Sequence, residues 1–139
     1  MLVNQIAVFL ENRQGRINDF AKVLAEQNID LISMSIADTK EFGILRAMTS
    51  DNAKAIEALR KNGFTVSSTD LIGIEVDDRP GGLYDVLNIL NDGGVDIEYL
   101  YSYSRSSVNK DKAVIMFKVS DENRDKAIEV VKKNGINII

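Results

Sequence analysis

Glu11-Asn-Arg-Gln-Gly-Arg-Ile-Asn-Asp-Phe-Ala-Lys-Val-Leu24 aligns without a gap with Asp77-Asp-Arg-Pro-Gly-Gly-Leu-Tyr-Asp-Val-Leu-Asn-Ile-Leu90. The offset is 66 residues, as Gly15/Gly81 and Leu24/Leu90 both show. Further along, Lys54-Ala-Ile-Glu57 returns as Lys126-Ala-Ile-Glu129 and Lys61-Asn-Gly63 as Lys133-Asn-Gly135, now offset by 72. The six extra residues fall near Ser106–Asp111 and at the start of the last helix. Matched elements with length changes confined to loops are the mark of a duplicated unit. The copies divide the chain into residues 1–69 and 70–139, each near the lower size limit for a self-sufficient core. Such halves are expected to pack side by side or against a second chain, and no Pro-, Gly- or Ser-rich linker separates them, Asp70 being the only punctuation between Val66 and Ile72.

Each copy reads β-α-β-β-α-β. Ile6, Val8 and Leu10 alternate along the first strand, as do Ile72, Ile74 and Val76 in the second copy. Ile17, Phe20, Ala21 and Leu24 follow helical spacing after the glycine turn, and Leu83, Val86, Leu87 and Leu90 repeat it. Asn28 and Gly93-Gly94 can supply the left-handed residue that ends such helices. Second strands are expected over Ile29–Ala37 and Val95–Arg105, and third strands over Ile44–Thr49 and Val114–Val119. The last helices start near Ser50-Asp51 and Ser120-Asp121, where an acid caps free N–H groups, and stop at Asn62-Gly63 and Asn134-Gly135. Short strands, Phe64–Ser67 and Ile136–Ile139, close each copy. The order predicts an α+β fold: a duplicated ferredoxin-like sandwich, each antiparallel sheet carrying two helices on one face.

Composition narrows the chemistry. The formal charge is −4 and no basic cluster supplies a phosphate-binding face, so nucleic acid is not the expected partner. Cys and His are both absent, which removes thiolate and imidazole chemistry along with the commonest transition-metal ligands. No metal, cofactor or catalytic residue is predicted. No apolar run approaches a membrane span, and a cytoplasmic location is the expectation.

That fold hosts unrelated functions, so the site must decide. Asn12-Arg-Gln-Gly-Arg-Ile17 and Asp78-Arg-Pro-Gly-Gly-Leu83 lie between a strand end and a helix start. The glycine permits a sharp turn or close ligand approach, and the helix start presents unpaired N–H groups. With Asn28-Ile-Asp-Leu31 and Gly94-Val-Asp-Ile97 leading into the second strands, both halves resemble the ACT domain, whose signature is an Asn/Asp-x-Pro-Gly-x-Leu turn. The chain is similar to the stand-alone tandem ACT proteins, which lack an attached catalytic domain. The resemblance implies an amino-acid-binding regulatory protein that holds its ligand at an interface between ACT units. It assigns the ligand to the backbone of Gly15, Arg16, Gly81 and Gly82, with Asn12 and Asp78 meeting its polar groups. The first half departs at Gln14, where Pro80 stands in the second, and at Arg16, where the second has Gly82. Whether one site binds or both is left open by these changes.

The physical argument runs the same way. Helix-start N–H groups suit a carboxylate, and strand carbonyls or Asp30 and Asp96 suit an ammonium. Micromolar binding needs about −8 kcal/mol, so a ligand of about ten heavy atoms must be largely enclosed. Arg13 and Arg79 either steer a carboxylate or are simply solvated. Tyr99 and Tyr101 alternate with Tyr103 on one strand face, either as a wall for a ligand side chain or as packing. Phe9, Ile32, Met34, Ile36, Ile44 and Met48 fall opposite the helix-facing positions, which points to a homodimer unless the register is shifted. A free amino acid, a second copy and a regulated enzyme are the expected partners. The competing reading is a structural interaction module without ligand. A small enzyme and an RNA-binding sheet are disfavoured, for want of an acylphosphatase-type Gly-x-Val-Gln-Gly-Val loop and of aromatics on the open central strands.

Overall fold

The computed structural model describes residues 2–38, 40–104 and 109–139. They form two compact units, Asn4–Thr69 and Asp70–Ile139, the latter joined by the N-terminal residues up to Val3. In the first unit, strand β1 (Leu2–Glu11) leads to helix α1 (Arg16–Glu26), strands β2 (Leu31–Asp38) and β3 (Phe42–Thr49), and helix α2 (Asn52–Lys61). β1 pairs antiparallel with β3, placing Val8 opposite Leu45, and β2 flanks β3 with Ile36 opposite Leu45. The first residues of β4 (Thr65–Asp77), up to Thr69, complete this unit.

The second unit takes the later part of β4, then α3 (Gly82–Asp92), β5 (Tyr99–Ser102), β6 (Lys112–Lys118) and α4 (Arg124–Lys133). β6 lies between β4 and β5, with Ile115 opposite both Ile74 and Ser102. The closing strand is reduced to one bridge, Ile74 to Ile138, flanked by Glu75 N donating to Asn137 O and Ile139 N to Gly73 O, each 3.0 Å. Each unit is thus a ferredoxin-like α+β sandwich.

Strand alternation builds both cores. Ile6, Val8 and Leu10 meet Leu45 and Ala47 under Phe20, Val23 and Leu24 of α1 and Leu59 of α2. Ile72, Ile74 and Val76 meet Ile115 and Phe117 under Val86 and Leu90 of α3 and Val131 of α4. The first helical seam departs from expectation: Ile17 is 51% exposed and Ala21 is also exposed, while Val23 is buried. In α3 the expected positions hold better, with Val86 and Leu90 buried and Leu83 and Leu87 half-buried.

The repeated polar residues now have physical reasons. Lys54 and Lys126 reach from the second helix of each unit to carbonyls at the end of the first, Gln27 O at 2.7 Å and Gly94 O at 2.8 Å. A cation there complements the helix dipole. Asn62 and Asn134 donate to Ala58 O and Val130 O, each at 2.8 Å, capping the second helices. Asn28 (φ 54°) and Gly94 (φ 68°) are left-handed as expected, but Gly93 is not. Asp51 accepts from Lys54 N at 3.0 Å, the predicted N-cap. The counterpart differs: residues Asp121–Asn123 form a 3-10 turn, α4 begins at Arg124 without a side-chain cap, and Asp121 instead pairs with Lys118 and Arg124. Asp51→Ala is therefore expected to cost about 1 kcal/mol in urea denaturation. Asp121→Ala, which removes only exposed ion pairs, should cost less than half of that.

Strand limits also changed. β4 runs through Asp70 without interruption, because an extended backbone accepts Asp there. β5 is only four residues long, against the expected Val95–Arg105. Residues 105–108, which include part of the expected insertion, lie outside the described residues. A bulge between Leu31 and Ser33 shifts β2, so Met34 pairs with Ala47 and Ile36 with Leu45, on the helix side. The apolar helix-free face is correspondingly narrower than predicted. Phe9 and Ile44 are exposed on it, joined by Phe42, whose ring lies 4.7 Å from that of Phe9, whereas Met48 is buried.

Candidate functional site

The two turns are built alike. Gly15 and Gly81 stand in the N-cap position with φ 87° and φ 86°, a left-handed conformation that a side chain would strain. Nothing lies within 4 Å of a Cβ placed on Gly15, so conformation, rather than space, demands glycine there. No side chain caps either helix. Asp19 N bonds Gly15 O and Asp85 N bonds Gly81 O, while the expected backbone donors Arg16 N and Gly82 N are used within the turns, on Arg13 O at 3.3 Å and Arg79 O at 3.0 Å. The N–H groups of Ile17, Asn18, Leu83 and Tyr84 are therefore the ones left for an anion. Asn12 N bonds Glu41 O at 2.8 Å, and Asp78 N bonds Asp111 O at 2.9 Å, so each turn is pinned to the β-hairpin beside it.

The side chains then diverge. Asn12 donates its amide to Lys40 O at 3.0 Å, which commits it to the hairpin. Arg13 donates Nε to Glu11 at 2.8 Å, and this pair holds the Glu11 carboxyl below its usual range. Arg79 is tied more fully, to Pro80 O at 3.1 Å and to Asp85 at 2.5 Å, and the Asp85 carboxylate raises its pKa. Lys112 pairs with Asp77 and, with Arg79 adding to the effect, lowers the Asp77 carboxyl. The second turn thus carries a chain of paired charges, Lys112–Asp77–Arg79–Asp85, while Arg13 keeps its terminal amino groups available. Gln14 and Pro80 are exposed at the turn tips.

Arg16 and Gly82 show the largest difference. The Arg16 guanidinium lies 3.9 Å from the centre of the Phe64 ring and 3.7 Å from Asp19, away from the turn. A cation at a helix start opposes the dipole, and the ring contact offsets that cost. Gly82 is buried, and a Cβ there would stand 2.0 Å from Asp77 O. Beside α3 this leaves a cleft of about 240 Å³, bordered by Asp77, Gly82, Asp85 and Lys112, whose charges are already paired.

At the first turn, Asn12, Arg13 and Ile17 border a small pocket of about 60 Å³ with Leu10, Glu11, Ile36, Asp38 and Gly43. Ile36, Asp38 and Gly43 were missed by sequence reasoning: Ile36 was set on the wrong face, and the hairpin's approach to the turn is a tertiary fact. Tyr99 and Tyr101 lie opposite Lys118 and Met116, on the helix-free side of the sheet. Packing beneath the helices is therefore ruled out for them. Leu83 is half-buried at the start of α3. Among the described residues no group of three or more His, Cys, Asp or Glu could hold a metal, and no helix is long and apolar enough to cross a membrane.

A family model described as an ACT domain pair matches residues 1–139. The chain belongs to this family. The ACT pair is similar to protein BT0572 from Bacteroides thetaiotaomicron, at 40% identity and TM-score 0.88, over 100% of this chain and 92% of that one. It shares its fold with the regulatory subunit of aspartate kinase from Thermus thermophilus in its ligand-free form, at 14% identity and TM-score 0.64, covering 94% of this chain and 91% of that one. The corresponding subunit from Thermus flavus matches at 16% identity and TM-score 0.65, over 96% and 94%. No curated protein sequence matches.

Proposed function

We propose that this ACT pair is a regulatory protein that binds a free amino acid at its glycine turns and performs no reaction of its own. The observation that carries this reading is the uncapped helix start behind a left-handed glycine, present in both units. The carboxylate would meet these N–H groups, each helix start contributing about 0.3–1 kcal/mol through its dipole. Fold likeness to two regulatory subunits supports the regulatory role. At about 60 Å³ the pocket cannot enclose a whole amino acid, so another ACT unit, from a second copy of the chain, closes over the ligand. The exposed Phe9, Phe42 and Ile44 give a homodimer an apolar surface to bury. Occupancy then favours one arrangement by the ligand's differential affinity, and a cytoplasmic partner enzyme reads it. The domains in this reading are 1–69 and 70–139.

The same exposed aromatic pair favours the alternative, an interaction module without ligand. A thermal-shift screen with the twenty amino acids separates the two. A ligand present at 100 times its Kd stabilises by about 2.7 kcal/mol, a clear rise in melting temperature. A flat response to all twenty leaves only the interaction module.

A further inference from the structure

The two turns are not equivalent, and the difference is chemical. In the first unit Ile17 projects at 51% exposure beside Ile36 and gives the pocket an apolar floor. Gly43 keeps that floor open, since a Cβ there would come within 3.3 Å of Ile36 Cγ2. Asp38 stands at the rim with no hydrogen bond or ion pair among the described residues. Register gives the counterparts in the second unit. Leu10 faces Gly43, but Val76 faces Ala113; Ile36 shares Leu45 with Val8, but Ser102 shares Ile115 with Ile74. Asp38 becomes Ser104 at the same offset of 66. The second turn therefore has a methyl group where the first has space, a hydroxyl where it has an aliphatic floor, and Ser104 in place of the rim acid Asp38, with Asp78 in place of Asn12. Its arginine is also already bound to Asp85.

We propose that the first turn is the ligand site and that it selects a small aliphatic α-amino acid, of about alanine to valine size. This rests on the amino-acid-binding reading above and goes on to name the half and the ligand class. The N–H groups of Ile17 and Asn18 in the first turn of α1 and the terminal amino groups of Arg13 receive the carboxylate, Asp38 takes the ammonium, and the side chain lies on Ile17 and Ile36. A pocket of about 60 Å³ suits a short branched side chain better than an aromatic one. A charged side chain would lie on Ile17 and Ile36, while the pocket's charged groups, Glu11, Arg13 and Asp38, are engaged by one another and by the ligand's own carboxylate and ammonium.

Isothermal titration calorimetry of the full chain tests this with glycine, alanine, valine, phenylalanine, aspartate and lysine. Valine should bind about thirtyfold more tightly than glycine, from burial of its extra carbons. Phenylalanine, aspartate and lysine should give no measurable heat. Gly43→Ala should weaken valine at least tenfold. Ile17→Asn, at an exposed position that leaves the core intact, should weaken it about fivefold while the far-UV circular dichroism spectrum is unchanged. Preference for a charged or aromatic amino acid overturns the proposal but leaves amino-acid sensing intact. Binding that survives both first-turn variants and is lost on Asp78→Ala also overturns it, moving the site to the second turn. If none of the six binds and the thermal-shift screen is flat for all twenty amino acids, the sensing reading falls as well.

Discussion

Gly82→Ala is expected to lower stability by about 3 kcal/mol or more, visible as a large drop in the urea midpoint. The added Cβ would lie 2.0 Å from the carbonyl oxygen of Asp77 and 2.9 Å from its carbonyl carbon. Both are backbone atoms, so no flexible side-chain tip can yield, and the start of α3 must lift from the end of β4. Gly15→Ala provides the contrast. Its Cβ meets nothing within 4 Å, but φ 87° costs an alanine about 1–2 kcal/mol. The two glycines thus serve opposite purposes, one for close approach and one for backbone conformation. A Gly82→Ala protein as stable as wild type would show that α3 does not start against Asp77.

Phe20→Ala should be comparably severe, at about 3–5 kcal/mol. Phe20 is 1% exposed and packs edge-on against Phe64, with ring centroids 6.5 Å apart and planes at 79°. Phe64 in turn lies under the Arg16 guanidinium. Arg16 Nε is buried without a hydrogen-bond partner, so the ring and Asp19 are what compensate its charge. Truncation of Phe20 opens a cavity and also loosens the ring that supports this cation. Phe20→Leu keeps most of the volume and should cost less than half as much. Chemical denaturation of the two variants checks the order, and equal losses would contradict a packed aromatic contact.

Much of the fold was legible in the chain. Two periodicities, 2 for strands and 3.6 for helices, survive duplication because each copy must bury the same faces. The Lys-Ala-Ile-Glu and Lys-Asn-Gly repeats were readable as repeats. Their purpose, capping of helix ends through Lys54, Lys126, Asn62 and Asn134, needed the packed helices. The glycine turns were found from sequence because a left-handed N-cap restricts residue type so strongly. Ile36 and Met34 were misplaced because a single bulge in β2 reverses which side every later residue faces. Ile17 matched the helical seam by spacing, but it occupies the first turn of α1, where the helix has already passed the edge of the core.

The amino-acid order by itself determined the duplicated β-α-β-β-α-β plan, the two glycine turns and the acidic, Cys- and His-free chemistry, because local backbone preference and burial periodicity are written into neighbouring residues. Only the tertiary structure decided that Gly43 and Asp38 border the first turn, that Arg16 folds onto Phe64, and that Arg79 is locked to Asp85. Those contacts join residues far apart in the chain or select one rotamer among several, and their energy depends on packing distances that no sequence pattern encodes.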